Sequence, residues 1–329
     1  MSVTATAENN TSQEKLFEAV DVLEQLCSVR NYKGSRSGVL NITPRAKFII
    51  EVLDFLKLDY ELESFSDERE SNDKALMFQE VFRAIDNLSF VDRAKATFEM
   101  TEEDGNFNFN FNAEELLEQG IIHDIVPTYH NIVVKFEASE PTDESIIFTA
   151  HHDIVRPDSD NCQDNGASVA NLLDLARKLK QEQPDLTKNV YIIFLDCEET
   201  GGRGASHNAT KIKDGKYGEV VFIANSELTA IGESIWMESV DTLESVVYME
   251  KAREYDENIV EKRCPPSDAM YYRSSGIPQA VCFGILPTEE ASLGFPGTWS
   301  VCHSPADVFR ADKDNMENYV NFLFSLINA

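Results

Sequence analysis

From Asn131 onward, short apolar runs alternate with helical stretches. IVVKF occupies 132–136, IIFTA 146–150, VYIIFL 190–195 and VVFIA 220–224, with a helix-periodic segment near 167–181 between the second and third. Runs this short and this rich in Val, Ile and Phe read as strands buried on both faces, and a strand that returns through a helix lies parallel to its predecessor. VVYME at 246–250 and AVCFGI at 280–285 are read as further strands. Met316, Tyr319, Val320, Leu323 and Ile327 then share one face of a terminal helix. The expected fold is α/β, a mostly parallel central β-sheet with helices on both faces, an α/β/α sandwich.

The first half carries weaker patterning. Leu16, Phe17, Val20, Leu23 and Cys27 recur at helical spacing, and Thr43-Pro44 supplies an N-cap and first-turn proline for an apolar helix through Leu56. Residues 61–119 hold acidic clusters, a helical stretch around 77–88 and the alternating NFNFNFN at 106–112, which suits a strand. This span is read as an inserted hairpin, with a substrate-facing flap as the alternative. No fixed repeat is visible, so the 329 residues are expected to form one domain: a polar tail at 1–12, the insertion at 61–119, and a core at 131–329.

Charge narrows the partners. Fifty-eight Asp and Glu against 29 Lys and Arg leave a formal charge of −29, a field that repels nucleic acid backbones and anionic lipid. The start lacks a basic region followed by an apolar one, and no apolar run is long enough to span a bilayer. A cytoplasmic protein without nucleic acid or membrane partners is therefore expected, and no feature fixes an oligomeric state. Six cysteines, at 27, 162, 197, 264, 282 and 302, show no CxxC spacing and read as reduced, packed thiols.

In open α/β sheets, ligands gather at the carboxyl ends of the strands. Here IIFTA runs into His151, His152 and Asp153; VYIIFL into Asp196, Cys197, Glu198 and Glu199; VVFIA into Asn225, Ser226 and Glu227. Carboxylates crowded at one edge, with almost no Lys or Arg nearby, call for cations. Imidazole and carboxylate donors suit zinc, with cobalt or manganese as alternatives, and the residues alone leave the number of ions open. An acidic pair is ordinarily a solvated helix face, but Glu198-Glu199 directly follows an apolar strand. His123, His130, His152 and His207 read as structural or exposed.

TAHHDIV at 149–155, NCQDNGASVANLLDLA at 161–176, FLDCEETGGRGASH at 194–207, NSELTAIG at 225–232, PSDAMYYRSSGIP at 266–278 and WSVCHSPAD at 299–307 together resemble the M28 family of metallopeptidases. The resemblance runs from about Asn131 to the C-terminus. It implies a zinc exopeptidase-like fold and two divalent ions, zinc foremost, bridged by an aspartate and a water. It matches His151 to a ligand of the first ion, Asp153 to the carboxylate that orients it, and Asp164 to the bridging ligand. Glu198 matches the catalytic general base, Glu199 a ligand of the second ion, Glu227 the last carboxylate of the first ion, and His303 the remaining ligand of the second. Asp268 matches an outer position near the site. Glu227 stands where many members carry aspartate, and Asn165 where a second aspartate is common. A strained or cis peptide at Asp164–Asn165 is expected, and Tyr271 or Tyr272 is a candidate donor to the oxyanion.

The implied activity is hydrolysis of peptide bonds by a dizinc exopeptidase, foremost an aminopeptidase, acting on peptides. Three rivals remain. A glutaminyl cyclase-like transferase typically lacks the first-ion histidine, present here as His151. An M20-like carboxypeptidase or deacylase carries a long inserted domain, whereas about forty residues separate Glu227 from Ser267. A non-catalytic peptide-binding relative is opposed by the full ligand set.

Overall fold

A computed structural model of the chain describes residues 18–29, 42–66, 98–103, 106–111, 128–155, 159–240 and 246–328. Leu16, Phe17, His123 and the helical stretch expected around 77–88 lie outside them. The chain divides into two compact units, Met1–Lys33 with Ile42–Glu63 and His130–Ala329, and Gly34–Asn41 with Ser64–Tyr129. Among the described residues no helix is long and apolar enough to cross a membrane.

Helix α1 (Ala19–Ser28) buries Val22, Leu23, Leu26 and Cys27. Helix α2 (Pro44–Phe55) starts as its sequence dictates: Thr43 Oγ1 accepts from Ala46 N at 3.2 Å and proline takes the first turn. Strand β1 (Tyr60–Ser66) follows. In the second unit, β2 (Phe98–Glu103) pairs antiparallel with β3 (Asn106–Phe111), Phe98 opposite Phe111 and Glu103 opposite Asn106, so the NFNFNF alternation belongs to a hairpin strand.

The core elements are β4 (Thr128–Phe136), β5 (Glu144–His151), α3 (Ala167–Glu182), β6 (Asn189–Leu195), α4 (Arg203–Lys213), β7 (Glu219–Ser226), β8 (Ser234–Glu238), α5 (Val246–Tyr255), β9 (Val260–Lys262), α6 (Asp268–Ser274), β10 (Ala280–Leu286) and α7 (Lys313–Ser325). They build an eight-stranded sheet in the order β1-β4-β6-β5-β7-β10-β8-β9. Alternate residues of one strand enter opposite cores. Ile146, Phe148 and Ala150 of β5 pack with residues of α1, α2, α3, α5 and α7. Ile147 packs on the other face with Ala205, Ala209 and Ile212 of α4 and Ala269 and Tyr272 of α6. The layered α/β fold with helices on both faces is thus present.

Two expectations need correction. The sheet is mixed: β6, β5, β7 and β10 run parallel, while β4 and β8 pair antiparallel with β6 and β10. The reason is connection length. Seven helix-free residues join β4 to β5, and seven join β7 to β8, whereas a parallel return needs a crossover of about a dozen or more. Second, VVYME is the start of helix α5. Tyr248, Met249 and Ala252 are buried at helical spacing while Val246 and Val247 face solvent; a five-residue apolar run carries too little periodicity to separate strand from helix. The sheet position belongs instead to SIWME, as β8.

Candidate metal centre

Strands β6, β5 and β7 lie side by side and point the same way, so their carboxyl ends deliver three polar segments to one sheet edge. His151 closes β5, with its side chain 1% exposed. The turn after β6 brings Glu198 and Glu199, and the residue after β7 is Glu227, whose amide donates to Phe283 O at 2.8 Å. Left-handed backbone at non-glycine residues marks these turns: Cys197 (φ 63°), Leu228 (φ 58°) and His303 (φ 57°). Such conformations are unfavourable for L-residues and persist where surrounding contacts over-determine them.

Asp164 sits at the centre. Its Oδ1 lies 3.2 Å from His151 Nε2 and its Oδ2 3.2 Å from His303 Nε2. His151 Nε2 is also 3.6 Å from Glu227 Oε2, and His303 Nε2 is 3.0 Å from Glu199 Oε2. Two groups, His151 with Glu227 and His303 with Glu199, thus share one carboxylate. The Asp164–Asn165 peptide is cis, as expected. Asp153 stands behind: its Oδ1 is 3.4 Å from His151 Nδ1 and accepts from Glu198 N at 3.0 Å, and its Oδ2 accepts from Glu199 N at 3.1 Å. A single carboxylate therefore lies against the imidazole and accepts from both amides of the acidic turn.

The charge balance of this cluster is lopsided. Burial, joined by the charges of Asp268, Glu227 and Asp153, pushes Glu198 up to about 10, against the pull of His151. Burial and the Asp164 charge push Glu199 up to about 8. The hydrogen bond to Asp164 leads in raising His303 to about 9. Burial lowers His151, yet the carboxylates of Glu227, Asp153 and Asp164 outweigh it and hold it well above its ordinary value. Protons gather here because the carboxylates lack countercharge.

Divalent cations fit that deficit. His151, Asp164 and Glu199 each offer a donor atom within 4.8 Å of the others. Glu199 Oε1 is buried without a hydrogen-bond partner, and a buried polar atom of this kind calls for one. Two imidazoles and three carboxylates suit zinc. Asp268, fully buried at the start of α6, has both carboxylate oxygens unpartnered and is pushed well above its ordinary value, first by burial and then by Glu227, Asp153 and Glu199. The neighbouring His152 is not in the cluster: its ring Nε2 lies 3.2 Å from the carbonyl of His130.

The cluster opens into a cavity of about 500 Å³. Leu228, Pro265, Phe295 and Trp299 make its apolar wall, Tyr271 and Ser300 its polar one, and no Lys or Arg is among the described lining residues. Tyr271 faces this cavity, whereas Tyr272 is fully buried and donates to Asn208 Oδ1 at 2.8 Å. All six cysteines are free thiols, and Cys264 and Cys302 line the cavity.

A profile of peptidase family M28 matches residues 131–326, well over half of the chain. The chain belongs to that family. No curated protein sequence matches it. Among solved structures it is similar to a zinc aminopeptidase from Bacillus subtilis, at 14% identity and a TM-score of 0.63, covering 94% of this chain and 93% of that one. An aminopeptidase from Aneurinibacillus sp. strain AM-1 follows at 13% identity and 0.62, covering 94% and 92%. A Porphyromonas gingivalis glutaminyl cyclase gives 16% and 0.58, covering 94% and 96%. At these identities the likeness establishes a shared fold. Membership in M28 sets aside the M20-like alternative.

Sequence reasoning missed the residues that hold this M28 site together. Asn131 accepts from Asp196 N at 3.1 Å and donates to Gly204 O at 3.0 Å, which braces the turn carrying Glu198. Asp307 accepts from the amides of Gln163 and Asp164 at 2.7 and 3.0 Å. Asp307 does end the WSVCHSPAD segment, a signal that it belonged to the site; Asn131 carried none.

Proposed function

We propose that this chain is a dizinc exopeptidase that removes residues from the free amino end of peptides. The observation that carries the reading is Asp164, which turns one oxygen to each histidine. One ion would be held by His151, Asp164 and Glu227, the other by Asp164, Glu199 and His303, with Asp153 orienting His151. Bound zinc supplies Lewis acidity, acidifying water and drawing electron density from a peptide carbonyl.

The chain's own residues do the rest. Glu198, on the cavity wall and ionised once dications offset the surrounding negative charge, takes the proton of the attacking water on its carboxylate and passes it to the departing amine. Tyr271 offers its hydroxyl to the oxygen that gains charge at the carbonyl. Asp268, buried behind, supplies a further carboxyl to the outer part of the site.

Preference for the amino end follows from charge. Two dications would draw the protons off the carboxyls that burial raises, and Asp153, Asp164, Glu198, Glu199, Glu227 and Asp268 would then outweigh them and favour an ammonium group. No Lys or Arg that would pair with a substrate carboxylate is among the described lining residues.

Aminoacyl anilides, N-blocked peptides and C-terminally blocked peptides, assayed with and without chelator, test the proposal. Anilides and C-blocked peptides are expected to lose their first residue, N-blocked peptides to resist, and chelator to abolish turnover until zinc is restored. Cleavage confined to N-blocked substrates would overturn the aminopeptidase reading. Ammonia release from N-terminal glutamine without chain cleavage would favour cyclase chemistry.

A further inference from the structure

The shared carboxylate has to be held at a fixed place between two histidines, yet its own segment cannot hold it. Asp164 (φ −122°, ψ 92°) and Asn165 (φ −129°, ψ 33°) break the helical path of residues 162–166, so the amides there fall outside a regular hydrogen-bond ladder. Buried amides left outside a ladder need another acceptor. Asp307 provides it: Oδ1 accepts from Gln163 N at 2.7 Å and Oδ2 from Asp164 N at 3.0 Å.

The same residue ties this turn to the segment of His303. Ser159 Oγ donates to Asp307 O at 2.7 Å, and Asp160 N donates to that oxygen at 3.1 Å. In return, Phe309 N donates to Asp160 Oδ2 at 2.9 Å, and Arg310 N reaches Cys162 Sγ at 3.5 Å. Residues 159–164 and 307–310 are laced together along their length. Beneath them, the buried Arg45 of α2 donates from Nη2 to Asp160 O at 2.7 Å and to Asn161 O at 3.2 Å.

We propose that Asp307 is a positioning residue that sets Asp164 against His303 and thereby shapes one of the two metal subsites; this rests on the dizinc reading above. The subsites differ in what else secures them. His151 and Glu227 come from the ends of neighbouring parallel strands, and the His151 side chain is 1% exposed. His303 stands on a loop with its side chain 59% exposed. Without the clamp, the strand-end subsite keeps its frame, while the subsite of His303, Glu199 and Asp164 loses the link between two of its three ligands. A carboxylate is required because two adjacent amides need two acceptors, and charge strengthens both bonds. Asparagine offers one acceptor and turns a donor toward the second amide.

The test is a zinc titration of chelator-stripped protein followed by calorimetry, with circular dichroism to verify the fold. Wild type is expected to take up two ions in two steps. Asp307→Asn is expected to weaken one step about 10–100-fold, the range typical of partners behind a metal ligand, and to leave the other within about threefold. Asp307→Glu, which restores two acceptors, should recover part of the loss. If Asp307→Asn does not fold, Ser159→Ala removes the hydroxyl that holds the Asp307 carbonyl and should weaken the same step severalfold. Unchanged affinities in folded variants, or an equal loss in both steps, would overturn the assignment. A wild-type protein that takes up fewer than two ions fails earlier, at the dizinc reading itself.

Discussion

At the residue scale, the site is an arrangement of like charges that would fly apart in the absence of partners. Glu198 and Glu199 are neighbours in sequence and both line the cavity, and Glu199 Oε2 also lies 3.0 Å from His303 Nε2. We propose that the pair divides into a ligand, Glu199, and a proton carrier, Glu198. Glu198→Gln keeps the shape and removes the basic oxygen. It is expected to bind two zinc ions as wild type does while kcat falls about 10²–10⁴-fold; metal analysis beside steady-state kinetics checks this, and near-normal turnover would remove Glu198 from the chemistry. Both acids were legible in the sequence because an apolar strand ran directly into them. The difference between Tyr271 and Tyr272 was not, since only packing shows that one ring reaches the cavity and the other is committed to Asn208.

At the scale of elements, the turn between β6 and α4 carries the acidic pair and ends on Gly202, where backbone and packing agree. Its φ is 62°, and a Cβ there would stand 1.8 Å from Tyr271 Cδ2. Only glycine allows α6 to lay Tyr271 against this turn. Gly202→Ala is expected to lower stability by about 1–3 kcal/mol through backbone strain and also to reduce kcat by displacing Tyr271. Gly215→Ala is the control: φ is 81°, but nothing lies within 4 Å. It should cost the backbone strain alone in a denaturant titration, less than Gly202→Ala, and leave kcat intact. Equal kinetic losses in both variants would argue against a role for Tyr271. Helix α1 shows the same dependence on neighbours, since Leu23 Cδ1 would lie 3.3 Å from a Cβ at Gly166, beside the Asp164 turn.

At the scale of the whole molecule, buried charge is not confined to the metal cluster. Glu63 of β1 is 3% exposed. It accepts from Asn131, Asn208 and Tyr217 at 3.0, 3.0 and 2.9 Å and pairs with Lys216 at 3.3 Å. Burial pushes its carboxyl up, but these donors and the Lys216 charge outweigh burial, and it ends below its ordinary value of 4.5. A carboxylate depressed on folding stabilises the protein above its unfolded value and loses that contribution as pH falls through the folded one. Glu63→Gln is therefore expected to cost about 1–3 kcal/mol at neutral pH. The gap from wild type should narrow as the pH drops below 4.5. Urea melts across pH would show it; a gap that widens in acid would contradict the assignment. Zinc should act separately, raising Tm with concentration because it binds the folded site alone.

The order of residues by itself determined the parallel centre of the sheet, the helices on its two faces and the chemical identity of the strand ends. Those features depend on short-range periodicity and on which residue follows an apolar run. Only the tertiary structure decided that β4 and β8 run backward, that VVYME is helical, and that Asp307 clamps a turn 143 positions away. Strand direction and long-range hydrogen bonds depend on which distant segments become neighbours, and no local pattern along the chain encodes that.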